Sequence, residues 1–169
     1  MTDEIVRVDQ AGEYGACCLY EGQLKALGES HEQTPLLKKM LLQEQDHLRA
    51  FNHRIITQAI RPSLLQPLWH AGGYLLGYLS AKISPYTAHA VTMAVEEVIQ
   101  THYQEQEETL KDLPFKKDLL EEISRFKEDE KHHEEEAKEA GGPMSPAYDF
   151  VHGATKLLTK VAIAVAKKI

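Results

Sequence analysis

The sequence LLEEISRFKEDEKHHEEEA at residues 119–137 decides the fold class. Its inward positions advance by four, three, four, three and four residues, which is the period of one face of an α-helix. The stripe consists of Leu119, Ile123, Phe126, Glu130, His133 and Ala137. Two of these positions are polar, although the pattern calls for apolar side chains, and together they form a Glu-x-x-His pair. The sequence therefore predicts a helix that carries a carboxylate and an imidazole into the protein core.

The region around residue 44 repeats this pattern. Its predicted stripe consists of Leu37, Leu41, Glu44, Leu48, Phe51 and Ile55, with His47 beside Glu44. One inward glutamate precedes each pair by about one helix and one turn: Glu13 precedes Glu44, and Glu96 precedes Glu130. In a helical hairpin this interval returns the glutamate to the level of the pair. We therefore expect six side chains to converge, namely Glu13, Glu44, His47, Glu96, Glu130 and His133.

Helical spacing extends over the rest of the chain, and strand signals are almost absent. We predict an all-α protein with helices at Asp3–Leu27, Pro35–Ile60, Leu65–Lys82, Tyr86–Leu110, Pro114–Ala140 and Pro146–Lys168. No linker is long enough to separate independent domains. Residues 1–169 are expected to form one domain, with two weakly repeated halves at about 1–60 and 86–140 and two additional helices at about 65–82 and 146–168.

Composition excludes several classes of protein. The 169 residues are 43% hydrophobic and 27% charged, which is typical of a folded globular chain rather than a disordered one. The net charge of −7 argues against nucleic-acid binding. Cys17 and Cys18 are adjacent, which excludes a disulfide scaffold. The first residues resemble neither a secretion signal nor a transit peptide, so we expect a bacterial cytosolic protein or a trimmed organellar one.

Four buried carboxylates need compensating positive charge. Two divalent cations would cancel their charge, and mixed carboxylate and imidazole ligands suit iron or manganese. One Glu from each of two helices, with Glu-x-x-His from each of the other two, is the ligand pattern of ferritin-like carboxylate proteins. We therefore predict a ferritin-like four-helix bundle with two additional helices that face a membrane or cover the bundle. The alternative is a set of acids solvated in a cleft.

Residues next to these stripes bear on their register. Asp129 and His132 are also three residues apart, but they fall off the stripe that contains Glu130 and His133. Glu97 is rotated by about 100° from Glu96 around the helix, so we expect it to lie beside the site or to be exposed. Cys17 is one turn from Glu13, where we expect a small core residue.

Several motifs, in order along nearly the whole chain, closely resemble those of the demethoxyubiquinone hydroxylase family. They are Val8-Asp9-Gln10-Ala11-Gly12-Glu13-Tyr14-Gly15-Ala16, Glu44-Gln45-Asp46-His47-Leu48, Arg61-Pro62 with Pro67-Leu68-Trp69, Ala94-Val95-Glu96-Glu97-Val98, His102-Tyr103, and Asp129-Glu130-Lys131-His132-His133. Each motif is weak by itself, but the ordered set is specific.

The resemblance implies dioxygen-dependent hydroxylation of the ring of demethoxyubiquinol or demethoxyubiquinone in ubiquinone biosynthesis. It implies a di-iron centre ligated by the six converging residues, and a role for His102 and Tyr103 near substrate or electron entry. It also implies NADH as the reductant and a lipid-binding accessory protein as a partner. The sequence contains no Gly-x-Gly-x-x-Gly loop, so no dinucleotide-binding fold is expected.

A polyprenyl quinone substrate requires an apolar entrance. Residues 62–81 contain no Asp, Glu, Lys or Arg, but their prolines and glycines make a poor membrane-spanning helix. This helix is either buried or lies in the bilayer surface. Residues 151–168 carry Lys156, Lys160, Lys167 and Lys168 and no acid, which suits anionic lipid or, alternatively, an ordinary covering helix.

We favour peripheral association with the bacterial cytoplasmic membrane or the matrix side of the mitochondrial inner membrane. Two other functions stay open at this point. One is a ferritin-like ferroxidase or peroxidase, and the other is a non-enzymatic lipid-binding helical module.

Overall fold

The computed structural model describes residues 2–113 and 116–168, and the regular structure in these residues is helical. The helices are α1 (Thr2–Leu27), α2 (Thr34–Thr57), α3 (Gln66–Ile83), α4 (Pro85–Leu110), α5 (Lys117–Glu139) and α6 (Tyr148–Ala166). A short 3-10 turn, Gly142–Met144, lies between α5 and α6. The predicted all-α fold class is confirmed.

Local chemistry explains most of the helix ends. Helix α1 stops before Gly28, whose φ of 84° is accessible to glycine at little cost. Helix α4 begins with Pro85 directly after Ser84, and the Ser84 hydroxyl accepts a hydrogen bond from the Thr87 backbone N–H at 3.0 Å. This cap satisfies one of the amide donors that a helix start leaves unpaired.

Two predicted helix boundaries are wrong, and a third lies outside the described residues. Helix α2 ends at Thr57 rather than Ile60 because Ala59 adopts a left-handed conformation and the Ile60 N–H bonds back to the Ile55 carbonyl at 3.0 Å. Helix α6 begins at Tyr148 rather than Pro146 because Ala147 is also left-handed, with φ 52°. The predicted start of the fifth helix, Pro114, lies outside the described residues; α5 begins at Lys117.

The predicted stripe of α5 is confirmed, whereas that of α2 is partly wrong. The buried residues of α5 are Leu119, Ile123, Phe126, Glu130, His133 and Ala137. In α2 the buried residues are Thr34, Leu37, Met40, Glu44, His47 and Phe51. Leu41 and Leu48 are only half-buried. The inward face of α2 is therefore rotated so that His47, and not Leu48, points into the core.

The helices form two antiparallel hairpins, α1 with α2 and α4 with α5, which face each other across the core. Helix α3 lies along α1 and also contacts α4, while α6 packs mainly on α4. The approach of α1 and α3 depends on glycine: a Cβ atom at Gly77 would lie 1.9 Å from the Leu19 carbonyl oxygen, and one at Gly22 would lie 2.2 Å from the Tyr74 carbonyl oxygen. Among the described residues, no helix has the length and apolar character needed to cross a bilayer.

Candidate metal centre

The six residues expected to converge come from four helices and meet in the core between the two hairpins. Glu13 lies on α1, Glu44 and His47 on α2, Glu96 on α4, and Glu130 and His133 on α5. Each has a relative exposure of 2% or less. Ionisable side chains are very rarely buried to this extent unless they are paired or bind a metal.

Within the described part of the chain, these residues form two groups that could each hold a metal ion. The Glu13 group consists of Glu13, Glu44, His47 and Glu130. The Glu96 group consists of Glu44, Glu96, Glu130 and His133. In each group one ligand atom per residue lies within 4.8 Å of the others. Glu44 and Glu130 belong to both groups, so their carboxylates are placed to bridge two ions.

Both histidines direct Nδ1 toward the carboxylates. His47 Nδ1 lies 3.1 Å from Glu130 Oε1 and 3.6 Å from Glu13 Oε2. His133 Nδ1 lies 3.0 Å from Glu44 Oε1 and 3.1 Å from Glu130 Oε2. The other ring nitrogen, Nε2, has a partner outside the cluster, Asp129 for His47 and Gln43 for His133, so Nδ1 is the nitrogen available to a metal ion.

Several polar atoms of the cluster have no hydrogen-bond partner although they are buried. They are Glu13 Oε2, both carboxylate oxygens of Glu44, His47 Nδ1, Glu96 Oε2 and Glu130 Oε1. An unsatisfied buried polar atom costs about 1–3 kcal/mol, and a charged one costs more. Cations between the two hairpins would satisfy these atoms, so the donor set fits divalent metal ions.

The electrostatics of the cluster follow from burial and from its own charges. Burial raises the pKa of Glu44 and of Glu96, and the nearby Glu130 carboxylate raises both pKa values further. Burial alone would lower the pKa of the histidines, but the negative carboxylates within 3.0–3.6 Å of each Nδ1 outweigh it. The pKa of His47 rises to about 12, and that of His133 to about 11. Without metal, protons thus supply the positive charge that cations would otherwise bring.

Two buried tyrosines donate to the two glutamates that are not shared. The Tyr20 hydroxyl donates to Glu96 Oε1 at 2.8 Å, and the Tyr103 hydroxyl donates to Glu13 Oε1. Each tyrosine lies seven residues after the glutamate of its own helix and binds the glutamate of the other helix. Burial raises the pKa of both hydroxyls, which keeps them protonated as donors. Tyr20 was not among the predicted site residues; the only sequence signal for it is its seven-residue offset from Glu13, which Tyr103 and Glu96 share.

His102 lies beside the cluster rather than in it. The Gln106 side-chain amide donates to His102 Nε2 at 2.8 Å and to Asp9 Oδ1 at 2.7 Å. Asp9 Oδ1 is itself 3.5 Å from His102 Nε2. Burial raises the pKa of Asp9, although hydrogen bonding to His102 opposes the shift. Asp9 and Gln106 therefore fix the position of the His102 imidazole.

A cavity of about 300 Å³ connects this network with the protein surface. It lies between α1, α3, α4 and α6, and its polar lining includes Asp9, Glu13, His102 and Tyr103. The rest of its wall is mostly apolar and includes Leu19, Trp69, Leu76, Val95, Ile99 and Ile163. Leu68 and Leu158 also line it and are largely exposed, so the cavity reaches the surface between α3 and α6. The arrangement suits a molecule with a polar head and an apolar tail.

The other residues considered in the sequence lie outside the carboxylate cluster. Glu97 forms an ion pair with Lys156 and lies 3.2 Å from His152 Nε2, so it ties α6 to α4. Cys17 is buried, and burial raises the pKa of its thiol, which leaves it protonated and unreactive. His132 is exposed, while Asp129 Oδ2 lies 3.1 Å from His47 Nε2.

The chain is similar to known proteins along nearly its whole length. The chain matches the family model described as ubiquinone biosynthesis protein COQ7 over residues 1–166. It is 39% identical over 168 residues to the NADPH-dependent 3-demethoxyubiquinone 3-hydroxylase, mitochondrial, of Dictyostelium discoideum, covering 99% of this chain and 77% of that protein. It is 38% identical over 171 residues to the 3-demethoxyubiquinol 3-hydroxylase of Rhodospirillum rubrum, covering 100% and 79%. The identity to the human protein, which has the same name as that of Dictyostelium, is 37% over 169 residues, covering 99% and 77%.

Proposed function

The chain belongs to the COQ7 family of ubiquinone biosynthesis proteins, and from this we propose that it hydroxylates the ring of demethoxyubiquinol or demethoxyubiquinone. Its relatives are hydroxylases of these compounds by name. The observation that carries the proposal is the position of the cavity, because it joins an apolar surface to Glu13 and Tyr103 at the edge of the carboxylate cluster.

The proposed cofactor is a pair of iron ions in a ferritin-like bundle. Glu13 and His47 would hold one ion, Glu96 and His133 the other, and Glu44 and Glu130 would bridge them. Oxygen and imidazole donors suit iron, and the buried oxygens without partners support the presence of cations at this place. Bound iron would supply the activation of dioxygen that ring hydroxylation needs.

The residues around the inner end of the cavity bind and orient the quinone ring. His102, held by Asp9 and Gln106, presents an imidazole to a ring oxygen. The Tyr103 hydroxyl stays protonated and donates a hydrogen bond to Glu13, which fixes that carboxylate at the cavity wall. The apolar wall excludes water from the ring and receives the first part of the isoprenoid tail.

Exposed apolar side chains on α3 and α6, two of the helices that line the cavity, support the proposal of peripheral membrane association. Helix α3 exposes Leu68, Leu75, Leu79 and Ile83, and α6 exposes Phe150, Leu157, Leu158 and Val161, each by more than half. Exposed apolar side chains in this number indicate a surface that contacts lipid or another protein. We propose that α3 and α6 rest on the bilayer so that the substrate can pass directly into the cavity. The lipid-binding accessory protein stays a prediction.

A nicotinamide is the proposed source of electrons. The sequence resemblance implies NADH, whereas the names of the Dictyostelium and human relatives include NADPH. Anaerobic mixing of iron-loaded protein with either nucleotide, with and without quinone, distinguishes these reductants by the rate at which the ferric absorption is lost. No loss with either nucleotide under both conditions would exclude this route.

Turnover is the direct test. Iron-loaded protein in detergent or lipid is supplied with demethoxyubiquinol and ¹⁸O₂, and the product is analysed by mass spectrometry. We expect one labelled oxygen in the ring. His133→Ala removes a proposed ligand of one ion, so it should abolish turnover and lower the amount of iron bound. His132→Ala is the matched control, because it changes the exposed neighbouring histidine and should leave both intact.

The two competing functions give different results in the same experiment. A ferroxidase or peroxidase would oxidise Fe(II) or consume peroxide without hydroxylating the quinol. A non-enzymatic lipid-binding module would take up the quinol without iron and without turnover. The apolar cavity beside Glu13 favours quinol hydroxylation over ferroxidase activity, since an iron-storage site needs no route for a lipid.

A further inference from the structure

The two hairpins brace each other's histidines through equivalent positions. Gln43 immediately precedes Glu44, and Asp129 immediately precedes Glu130. Gln43 Oε1 lies 3.3 Å from Nε2 of His133, which belongs to the opposite hairpin. Asp129 Oδ2 lies 3.1 Å from Nε2 of His47, again across the hairpins. The two histidines are therefore held in the same way but by different chemical groups.

The difference between the Asp129 carboxylate and the Gln43 amide affects metal binding. A histidine that ligates a metal through one nitrogen commonly donates its other N–H to an acceptor, which fixes the ring and increases its basicity. A carboxylate is a stronger acceptor than an amide oxygen, because hydrogen bonds to ionised groups are roughly twice as strong. His47, backed by Asp129, is thus the stronger ligand of the two. The tyrosine contacts do not offset this difference, because Glu13 and Glu96 each receive one hydroxyl.

The cavity also distinguishes the Glu13 group from the Glu96 group. Glu13 and Tyr103 line it, whereas neither Glu96 nor Tyr20 is among the described residues that do so. Tyr20 instead packs in a core cluster with Leu37, Met40, Met93 and Ala137. The Glu13 group therefore borders the cavity, and the Glu96 group borders packed core.

We propose that the two metal positions are unequal: the Glu13 group, which borders the cavity, binds a divalent cation more tightly than the Glu96 group because Asp129 rather than Gln43 backs its histidine. Asp129 is thereby a positioning residue for the cavity-side ion. This inference rests on the proposed function only in requiring that both groups bind cations.

Cobalt titration of metal-free protein without oxygen tests the proposal, since the visible bands of Co(II) report its ligands independently of catalysis. Wild-type protein should bind two equivalents in two separate steps, with the first at least about tenfold tighter. Asp129→Asn keeps the side-chain shape but makes both histidines amide-backed. It should weaken the first step by about 10- to 100-fold and merge the two. Asp129→Glu restores a carboxylate and should recover part of the separation.

A carboxylate at residue 43 is the reciprocal change. Gln43→Glu gives both histidines a carboxylate and should strengthen the second step. The double variant Asp129→Asn/Gln43→Glu should restore two separate steps with the order of the positions, and hence of their Co(II) spectra, exchanged. Glu128→Gln removes one charge from an exposed residue next to Asp129 and is the control for simple loss of negative charge.

The outcomes separate this inference from the proposed function. If wild-type protein binds two ions in a single step that Asp129→Asn does not alter, the inequality is refuted while the metal centre stands. An equal weakening by Glu128→Gln would refute the role of the His47 contact in the same way. If wild-type protein binds no Co(II), Mn(II) or Fe(II), the inference and the proposed function both fall.

Discussion

Individual side chains of the centre are satisfied across the two hairpins rather than within them. Tyr20 of α1 donates to Glu96 of α4, and Tyr103 of α4 donates to Glu13 of α1. A buried hydrogen bond to a charged group contributes about 1.5–3 kcal/mol. Each hydroxyl therefore stabilises both a carboxylate and the contact between hairpins.

Removing either hydroxyl should separate a structural effect from a functional one. Tyr20→Phe and Tyr103→Phe each leave a buried carboxylate oxygen without its donor, so both should lower the free energy of unfolding by about 1–3 kcal/mol. Tyr103 also lines the cavity, so only Tyr103→Phe should reduce kcat/KM for the quinol by more than about tenfold. Urea unfolding and steady-state kinetics measure the two effects. Equal losses of kcat/KM in the two variants would contradict the assignment of the substrate side.

The protonated histidines predict how the stability of metal-free protein depends on pH. Folding raises the pKa of His47 to about 12 and that of His133 to about 11, and it also raises those of Glu44 and Glu96. Between pH of about 6 and about 9 the native state thus binds more protons than the unfolded state, so stability falls as pH rises. The pKa of Glu130, lowered to about 2, affects stability only at more acidic pH.

We therefore expect the Tm of protein kept in a chelator to decrease from about pH 6 to about pH 9. Stabilisation by added metal should instead increase with pH, because binding displaces these protons. Differential scanning fluorimetry with and without Mn(II) measures both trends. A Tm of the metal-free protein that rises over this range would show that the histidines are not protonated in the native state.

The sequence predicts the six converging residues better than the residues that support them, for a physical reason. Glu130 and His133 stand out because they are polar residues on an apolar stripe. Tyr20 does not stand out, since a tyrosine on such a stripe is usually a core residue. Asp129 lies off the stripe, and its contact depends on where the other hairpin places His47, which local periodicity does not encode.

At the scale of the helices, glycine determines how closely α3 approaches α1. A Cβ atom at Gly77 would overlap the backbone of Leu19, whereas one at Gly72 would meet no atom within 4 Å. The two glycines lie in the same helix and thus offer a matched comparison.

Gly77→Ala should destabilise the protein by about 1–3 kcal/mol, because the two helices would have to move apart. Gly72→Ala should be neutral or stabilising by up to about 1 kcal/mol, since alanine favours a helix over glycine. Urea unfolding followed by circular dichroism distinguishes them. Similar free energies for the two variants would contradict the close helix contact.

Helix ends were predicted well where the sequence contains a stop or start residue. Gly28, Ser84 and Pro85 mark their boundaries chemically, and α1 and α4 end where expected. The end of α2 was misplaced because Ala59 adopts a left-handed conformation that alanine rarely takes. Tertiary packing selects that conformation, since it brings Ile60 into the core cluster that contains Phe51 and Phe126.

At the scale of the whole molecule, α6 lines the cavity and exposes apolar side chains, and exposed lysines lie on it and directly after it. Lys160 of α6, and Lys167 and Lys168 directly after it, are exposed in a protein whose net charge is −7. Anionic lipid attracts each such lysine by about 1 kcal/mol. In the proposed membrane association, this attraction would add to the contact that the exposed apolar side chains make with lipid.

Reversal of these three charges should weaken binding to vesicles that contain phosphatidylglycerol. The Lys160→Glu/Lys167→Glu/Lys168→Glu variant should bind at least about a hundredfold more weakly at low salt, as measured by flotation. The control, Lys117→Glu/Lys131→Glu/Lys138→Glu, makes the same net change on exposed positions of α5 and should bind like wild type apart from a general charge effect. Equal losses in the two triple variants would argue against docking through α6.

Glu44 and Glu130 each belong to both ligand groups, and they come from different hairpins. During translation the first hairpin leaves the ribosome well before Glu130 is synthesised, and for that interval it carries an incomplete set of ligands. Neither group is complete until the second hairpin has been made and has closed on the first. Delivery of the proposed ions would thereby be tied to synthesis of the second hairpin, and a nascent chain stalled before residue 130 would have no complete group to offer a metal donor.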